Sequence, residues 1–358
     1  MSIEKLFPQF RLISYDDTHS IELFVYKHLV KRHKFYDFVF LGGGTLINLR
    51  NYYYHFRDVV RSGNCGVVFG TGVLDPSFWR EHYPDIDWSQ EMVEWVAVLK
   101  EAAYVGVRGP LSARLLESSG LPRPLVIGDP ALSLCTPKPA QHLMKRKVAI
   151  NLGHSSRMWG YQEHVNEVIA TLARQLLETG WQVEFLPVHP IDLRIIRNLV
   201  RRFNLQEVSI WHEFGNVQKT VNRIRSYDLV IGQRLHSIVL AHGCGVPAIA
   251  LEYQPKCADF MESMGTQHFS IRTNALELDR LITLIQEIEA DYIGHCRYLI
   301  SKGNSYRHLQ RQAAVEVVEL VQKQKKLLDD VGDDLLPEKR SDYYESPKAR
   351  DGQKEDSR

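Results

Sequence analysis

At 358 residues the chain is longer than one hydrophobic core usually supports, and its 44% hydrophobic and 24% charged residues are those of an ordinary globular protein. With 44 Lys and Arg against 43 Asp and Glu, the net charge of +1 gives no global field for nucleic acid, so any anion must be gripped locally. Cys65, Cys135, Cys244, Cys257 and Cys296 are odd in number and lack CxxC spacing, which argues against a zinc framework or a disulfide scaffold and points to a reducing, cytoplasmic setting.

The opening MSIEKLFPQFRLISYDD has no long apolar run, so no secretory leader is expected, and the later apolar runs are strand-sized. YDFVFLGGGTLIN (36–48) predicts a buried strand ending in a glycine turn, and CGVVFGTGV (65–73) repeats the arrangement. AAYVGVRGPLSARLLESSG (102–120) supplies a strand, Arg108, and a helix with Pro110 in its first turn. PLVIGDPALSL (124–134) is a further strand with Asp129 at its end. Strands alternating with helices imply parallel βαβ units.

Prolines and charges replace the apolar pattern in CTPKPAQHLMKRK (135–147), and a second series then begins. VAINLGH, WQVEFLPVH, DLVIG and PAIALEY read as strands; EHVNEVIATLARQLLETG, VQKTVNRIRSY and HSIVLAHGCG read as helices. The rest, to about residue 328, is helical. The expected organisation is α/β, with Rossmann-like domains at 1–136 and 148–328, a linker at 137–147, and a charged tail at 329–358 expected to be disordered. Two doubly wound halves predict a bilobed enzyme with its site in the cleft.

The stretch DLVIGQRLHSIVLAHGCGVPAIALEYQPKCADF (228–260) concentrates the chemistry. Gly232 is expected to permit a tight turn, after which Arg234, Leu235 and His236 open a helix. In open α/β sheets ligands bind beyond the carboxyl ends of strands, and free helix N-termini favour anions. An arginine there can grip a carboxylate or phosphate as a fork, and a histidine can move a proton near neutral pH. The blander alternative is that Arg234 pairs with a structural carboxylate and His236 caps a helix. Tyr253 and Lys256 fall at the end of the next strand, on the same rim, which favours a site.

Other residues support that rim less strongly. Asn151, His154, Ser155 and Arg157 follow the first strand of the second half, with Arg157 a second anion ligand and Trp159 either a sugar platform or a buried indole. Gly42, Gly43 and Gly44 could present N–H groups to a ligand, although a turn needing positive φ explains one glycine. Arg108 is undecided. Asp129 is either a turn initiator or a base, and Glu252 is a second candidate base. His189 and His242 read as a satisfied loop histidine and a packed one. No histidine spacing suits a metal.

These residues resemble a known family. FLGGGTLIN, YVGVRGPLSARLLESSG, VIGDPAL and IGQRLHSIVLAHGCGVPAIALEYQPKCADF, in this order over roughly Tyr36 to Gly265, are similar to the landmarks of polysaccharide pyruvyl transferases. The resemblance implies a GT-B-like pair of Rossmann-like domains facing a cleft, with the acceptor on the first and the donor on the second. It implies phosphoenolpyruvate as donor substrate, no other cofactor, and a cyclic ketal formed on a glycan or lipid-linked oligosaccharide. The Arg234-Leu235-His236 triplet would contact the donor. Peripheral membrane attachment through KQKK (323–326) and a homo-oligomer are compatible with it. An opening strand with an NxGD-like glycine loop, frequent in the family, is missing, which predicts a shortened first sheet. A nucleotide-sugar glycosyltransferase of the same architecture is the rival expectation.

Overall fold

The computed structural model describes residues 2–10, 12, 38–140, 144–153, 157–213 and 215–331. In chain order the first half contains α1 (Ser2–Leu6), β1 (Phe38–Gly42), β2 (Thr45–Ile47), α2 (Arg50–Arg61), β3 (Cys65–Val73), α3 (Pro76–His82), α4 (Trp88–Leu99), β4 (Tyr104–Val107), α5 (Pro110–Ser118), β5 (Leu125–Val126) and a 3-10 turn at Pro130–Leu134. The second half has β6 (Lys147–Asn151), α6 (Gln162–Glu178), β7 (Gln182–Phe185), α7 (Pro190–Arg202), β8 (Ser209–Ile210), α8 (Val217–Ile224), β9 (Leu229–Gly232), α9 (Leu235–Gly243), β10 (Ala248–Glu252), α10 (Pro255–Met264), β11 (Ser270–Arg272), α11 (Leu278–Ala290) and α12 (Tyr292–Val331). The segment expected to hold the missing glycine loop and the helix before Tyr36, and nearly all of the charged tail, lie outside the described residues.

Two parallel sheets result. In the first, β1, β3, β4 and β5 lie in that order, with β2 also paired to β3. In the second the order is β11-β10-β9-β6-β7-β8. The continuous apolar runs of β3 and β9 follow from burial on both faces, since every residue of each is buried. In the second sheet the chain starts in the middle, at β6, winds outward through β7 and β8, and returns through β9 on the other side. The carboxyl ends of β6 and β9 are therefore its topological switch point, where such sheets open a crevice.

The first sheet is covered on one side by α2, α4 and α5, through Phe56, Trp95 and Leu116. Its other side is covered by Phe7 and by Ala313, Ala314, Val317 and Val321 of α12. That last helix, expected within the second domain, packs on the second sheet's cluster through Cys296, Leu299 and Tyr306 before it reaches the first. Its Gln310 is fully buried and donates to the carbonyls of Ile127 (3.0 Å) and Asp129 (2.9 Å). Between the halves, Arg114 of α5 forks onto Glu262 of α10 at 2.7 and 2.8 Å. Among the described residues, no helix is long and apolar enough to cross a membrane.

Candidate functional site at the second sheet's switch point

Strand β9 hands over to α9 in two residues, and Gly232 makes this possible for a reason other than the expected turn. Its φ is not positive; instead a Cβ there would stand 2.2 Å from Ser237 Oγ, so the missing side chain lets the helix close on its own strand. Helix α9 is buried at every position except His236, whose imidazole is exposed in the first turn and makes no hydrogen bond among the described residues. Leu235, expected to touch a ligand, packs into the core with 6% of its surface exposed. A helix buried all round admits an apolar residue at that place.

Arg234 stands at the N-cap of α9 and is held on two sides. Its backbone N–H donates to Asn151 Oδ1 (2.9 Å), and Asn151 Nδ2 donates to the Leu186 carbonyl (2.9 Å), so the fully buried Asn151 ties three strand ends together. Both functions of that amide are spent, and Asn151 positions Arg234 instead of meeting a ligand as expected. The guanidinium donates through Nε (2.9 Å) and Nη2 (2.7 Å) to Asp192 Oδ1. Asp192 is fully buried in the first turn of α7, where its other oxygen accepts from the amides of Val188 and His189. The blander account is thus half right: Arg234 does pair with a structural carboxylate. The pair leaves Nη1 with no hydrogen-bond partner among the described residues, on a side chain 26% exposed. A Cβ on Gly153 would meet Arg234 Nε at 2.5 Å, so glycine there is what admits the guanidinium.

The second cation is Lys256, in the first turn of α10. It is half-buried, its Nζ lies 4.8 Å from the centre of the Tyr253 ring, and among the described residues it has no hydrogen-bonding or acidic partner. Burial first, and then the neighbouring guanidiniums of Arg108 and Arg234, bring its pKa down to about 8 against an opposing pull from Cys257. The buried Tyr253 lines a narrow crevice with Gly153, Gln233 and Arg234, too tight to hold a water molecule. Burial raises its phenol well above the usual range, opposed by Arg234 and Arg108. Helices α9 and α10 both point their first turns toward this edge, and among the described residues neither has a side chain capping its first amides. Glu252, at the end of β10, is buried, accepts from Ser270 Oγ (2.8 Å), and has its carboxyl raised chiefly by burial.

The remaining expected residues lie elsewhere or do other work. Arg108 is fully buried between the sheets: Nη1 donates to the Gly44 carbonyl (2.7 Å), and Nη2 reaches Thr45 Oγ1 (3.2 Å) and Asp259 Oδ2 (3.3 Å). It acts as a pin between the two halves, with no surface left for a ligand to reach directly. Gly43 and Gly44 both adopt positive φ, +66° and +63°, so two of the three glycines are explained by backbone conformation, and the Gly44 carbonyl is occupied by Arg108. Gly42 is a strand residue whose missing Cβ accommodates Ile3 at 2.7 Å. Asp129 is 2% exposed and caps the 3-10 turn through Oδ1 and the Ala131 amide (2.9 Å), the turn-initiating role of the two expected, while its Oδ2 is buried with no hydrogen-bond partner among the described residues. Arg157 is exposed and reaches across to the first half, its guanidinium 4.5 Å from the centre of the Tyr83 ring and 5.7 Å from that of Trp79, outside the strand-end cleft. His154 and Ser155 lie outside the described residues. His189 caps α7 through the Ile191 amide, and His242 is buried against Phe260, its pKa lowered to about 3 chiefly by burial.

Asp192, Asp259 and Gln233 escaped sequence reasoning. Each acts on a residue 42 or more positions away, or across a turn, and leaves no local pattern; the one available signal for Asp259 is an acid between buried residues of an amphipathic helix, Cys257 and Phe260.

The family model for polysaccharide pyruvyl transferase matches residues 2–255. The chain belongs to that family. The match begins far ahead of Tyr36, so the amino-terminal end is part of the family domain, contrary to the narrower span expected from the motifs. Among solved structures, S. aureus MnaA with UDP is 12% identical and matches with a TM-score of 0.52 over 84% of this chain and 80% of that one. A candidate UDP-N-acetylglucosamine 2-epimerase from Listeria monocytogenes is 13% identical, with a TM-score of 0.51 over 74% and 68%. A glycosylation-associated complex protein from Streptococcus agalactiae is 14% identical, with a TM-score of 0.51 over 89% and 60%. At these identities the likeness is one of fold, and that fold is GT-B-like.

Proposed function

We propose that this pyruvyl transferase takes its pyruvyl group from phosphoenolpyruvate and closes it as a cyclic ketal on two hydroxyls of a glycan or lipid-linked oligosaccharide. One observation carries the proposal. Two half-buried cations, Arg234 and Lys256, each with donor capacity unspent, share one strand edge with two uncapped helix N-termini and an exposed imidazole. A small ligand with a carboxylate and a phosphate suits that set, because fixed donors in a partly desolvated place bind anions without reorganising.

In the proposed chemistry His236 delivers a proton to the methylene carbon, and the first hydroxyl oxygen bonds to the adjacent carbon. The second hydroxyl then displaces phosphate, closing the ring. Of the two hydroxyl protons, one is in net terms retained in the new methyl group and the other leaves with the phosphate. In this reading Arg234 and Lys256 hold the departing charge, and Glu252 accepts a hydroxyl proton after turning from Ser270 and Arg272. The experiment is incubation with phosphoenolpyruvate and polysaccharide repeat-unit intermediates, following phosphate and the mass of the glycan. Phosphate release matched by a gain of one pyruvate ketal supports the proposal. Binding of UDP with no response to phosphoenolpyruvate would replace it with the glycosyltransferase alternative.

A further inference from the structure

A cavity of about 520 Å3 lies between the amino-terminal residues and one face of α12, beside the 3-10 turn. Its wall on α12 is a helical stripe: Arg307, Arg311, Val315 and Val318 follow one another at spacings of four, four and three residues. The charged members come first and the apolar ones after them. Lys5 joins from the amino-terminal side, its Nζ donating to the Ser133 carbonyl (2.7 Å). Leu6 also lines the cavity and packs on the same apolar cluster as Val318.

Two features separate this place from a solvated helix face. Arg307 is 7% exposed, yet its guanidinium donates only to neutral oxygens: the carbonyls of Leu132 (3.4 Å) and Gly243 (3.1 Å), and Asn304 Oδ1 (2.7 Å). Among the described residues neither it, Arg311 nor Lys5 is paired with a carboxylate. A buried charge without a counter-charge is costly. Burial lowers the pKa of Arg307, opposed by Cys135 and Cys244 and reinforced by Arg311. The second feature is Val315, 60% exposed, while Ala313, Val317 and Val321 of the same helix are sealed against the first sheet. Three cations face one acid in the lining, Glu319, an excess of two positive charges. That excess matches a phosphate monoester, which carries about two negative charges at neutral pH. The apolar run of the stripe suits a chain attached to it.

We infer that this groove binds a phosphate monoester of an apolar alcohol, with its head on Lys5, Arg307 and Arg311 and its chain along Val315 and Val318. The site is separate from the donor edge. Arg307 holds Gly243, the last residue of α9, whereas Arg234 caps the first turn of that helix about 13 Å away along its axis.

The test is calorimetric titration of the full chain with octyl phosphate below its micelle concentration, beside inorganic phosphate and octanol. Octyl phosphate should bind saturably and at least about tenfold more tightly than inorganic phosphate, because its chain leaves water, and octanol alone should give no saturable heat. Arg311→Gln should weaken binding about three- to tenfold, and Val315→Glu, which sets a carboxylate against the ligand, at least about tenfold. Both positions are exposed, so the fold should survive, and circular dichroism checks it. Excess phosphoenolpyruvate should not displace octyl phosphate, and Arg234→Gln should leave its affinity within about twofold of wild type. Sedimentation with vesicles of phosphatidylcholine containing phosphatidic acid, lost in Arg311→Gln, gives the source as a membrane lipid; octyl phosphate binding without sedimentation gives it as a free amphiphile. No saturable binding, equal affinity for inorganic phosphate, or displacement by phosphoenolpyruvate would each overturn the site. Self-association of the chain that Val315→Glu abolishes, with no binding of octyl phosphate, would overturn it too and assign the groove to a second copy.

Discussion

The molecule contains two arginine–aspartate pairs of the same chemistry in opposite settings. Arg108 and Asp259 meet between the two halves with side chains 0% and 4% exposed, while Arg234 and Asp192 meet at the switch point with 26% and 0%. In the first pair the carboxylate is filled from both sides, by Arg108 and by the amide (3.0 Å) and hydroxyl (2.7 Å) of Ser112. In the second, the aspartate spends both oxygens inside the protein, and the arginine keeps a free donor on an exposed part of its side chain, whereas the unpaired Nε of Arg108 is buried. Burial of both partners makes a fastener; burial of the acid alone makes a fixed, oriented cation. The difference matters for function because sequence presents the two arginines alike, each just after a buried strand.

The sharpest break of this comparison is removal of one buried partner. Asp259→Asn leaves Arg108 uncompensated and should cost about 3–5 kcal/mol of stability, whereas Arg108→Met with Asp259→Leu should recover most of it. Denaturant midpoints of the single and double variants measure this. A single variant as stable as wild type would mean that the pin contributes nothing to the fold.

Next in size is Arg234→Lys. The substitution keeps a charge beside Asp192, so the melting temperature should fall by only a few degrees, but the fork is lost. Charge-assisted hydrogen bonds contribute about 1.5–3 kcal/mol, so kcat/KM for phosphoenolpyruvate should drop about ten- to a hundredfold. If instead kcat/KM holds and stability collapses, Arg234 belongs with Arg108 and the contrast disappears.

How much of this was legible follows from the range of each interaction. The strands and α9 announce themselves through unbroken apolar runs closed by glycine, and the cationic edge through Arg234, His236 and Lys256 lying within 23 residues of one another on successive strand ends. The carboxylates that decide what each arginine does come from 42 and 151 positions away. No periodicity carries that information, because it is made only when α7 caps beside β9 and α10 docks on α5. Asn151 and Leu235 depart from expectation for a related reason: a polar residue at a strand end and an apolar one beside it look the same whether they face a ligand or a neighbouring carbonyl and core.

The pH response of Lys256 sharpens the distinction between a buried charge with a partner and one without. Among the described residues its ammonium has no acid to compensate burial, which brings its pKa down to about 8 from the 10.5 of an unperturbed lysine. Between these values the unfolded state binds more protons, and the contribution of this group to stability therefore rises with pH across that window and is at its most unfavourable below about 8. Donor binding should run the other way, with KM for phosphoenolpyruvate climbing above pH 8 by about tenfold per unit as the cation is lost. Steady-state rates from about pH 7 to about pH 9, one unit either side of that value, should show this rise in wild type and a flat, elevated KM in Lys256→Met. A wild-type profile with no inflection in that range would remove Lys256 from the donor set.

The smallest effects belong to the glycine turn that Arg108 holds. Gly44 sits at φ +63°, its carbonyl accepts from Arg108, and a Cβ there would come within 3.1 Å of Leu46 Cδ2. Gly43 has nearly the same φ, +66°, but a Cβ added to it would meet nothing within 4 Å. Gly43→Ala should therefore cost only the left-handed backbone penalty of about 1–2 kcal/mol, and Gly44→Ala that penalty plus whatever Leu46 and the pinned carbonyl add. Thermal melts of the two variants, with kcat/KM measured alongside, separate conformation from contact. If the glycines served a ligand through open N–H groups, Gly43→Ala would lower kcat/KM well beyond its stability loss; a loss confined to stability, and larger for Gly44→Ala, places the turn with the fastener and leaves binding to the other half.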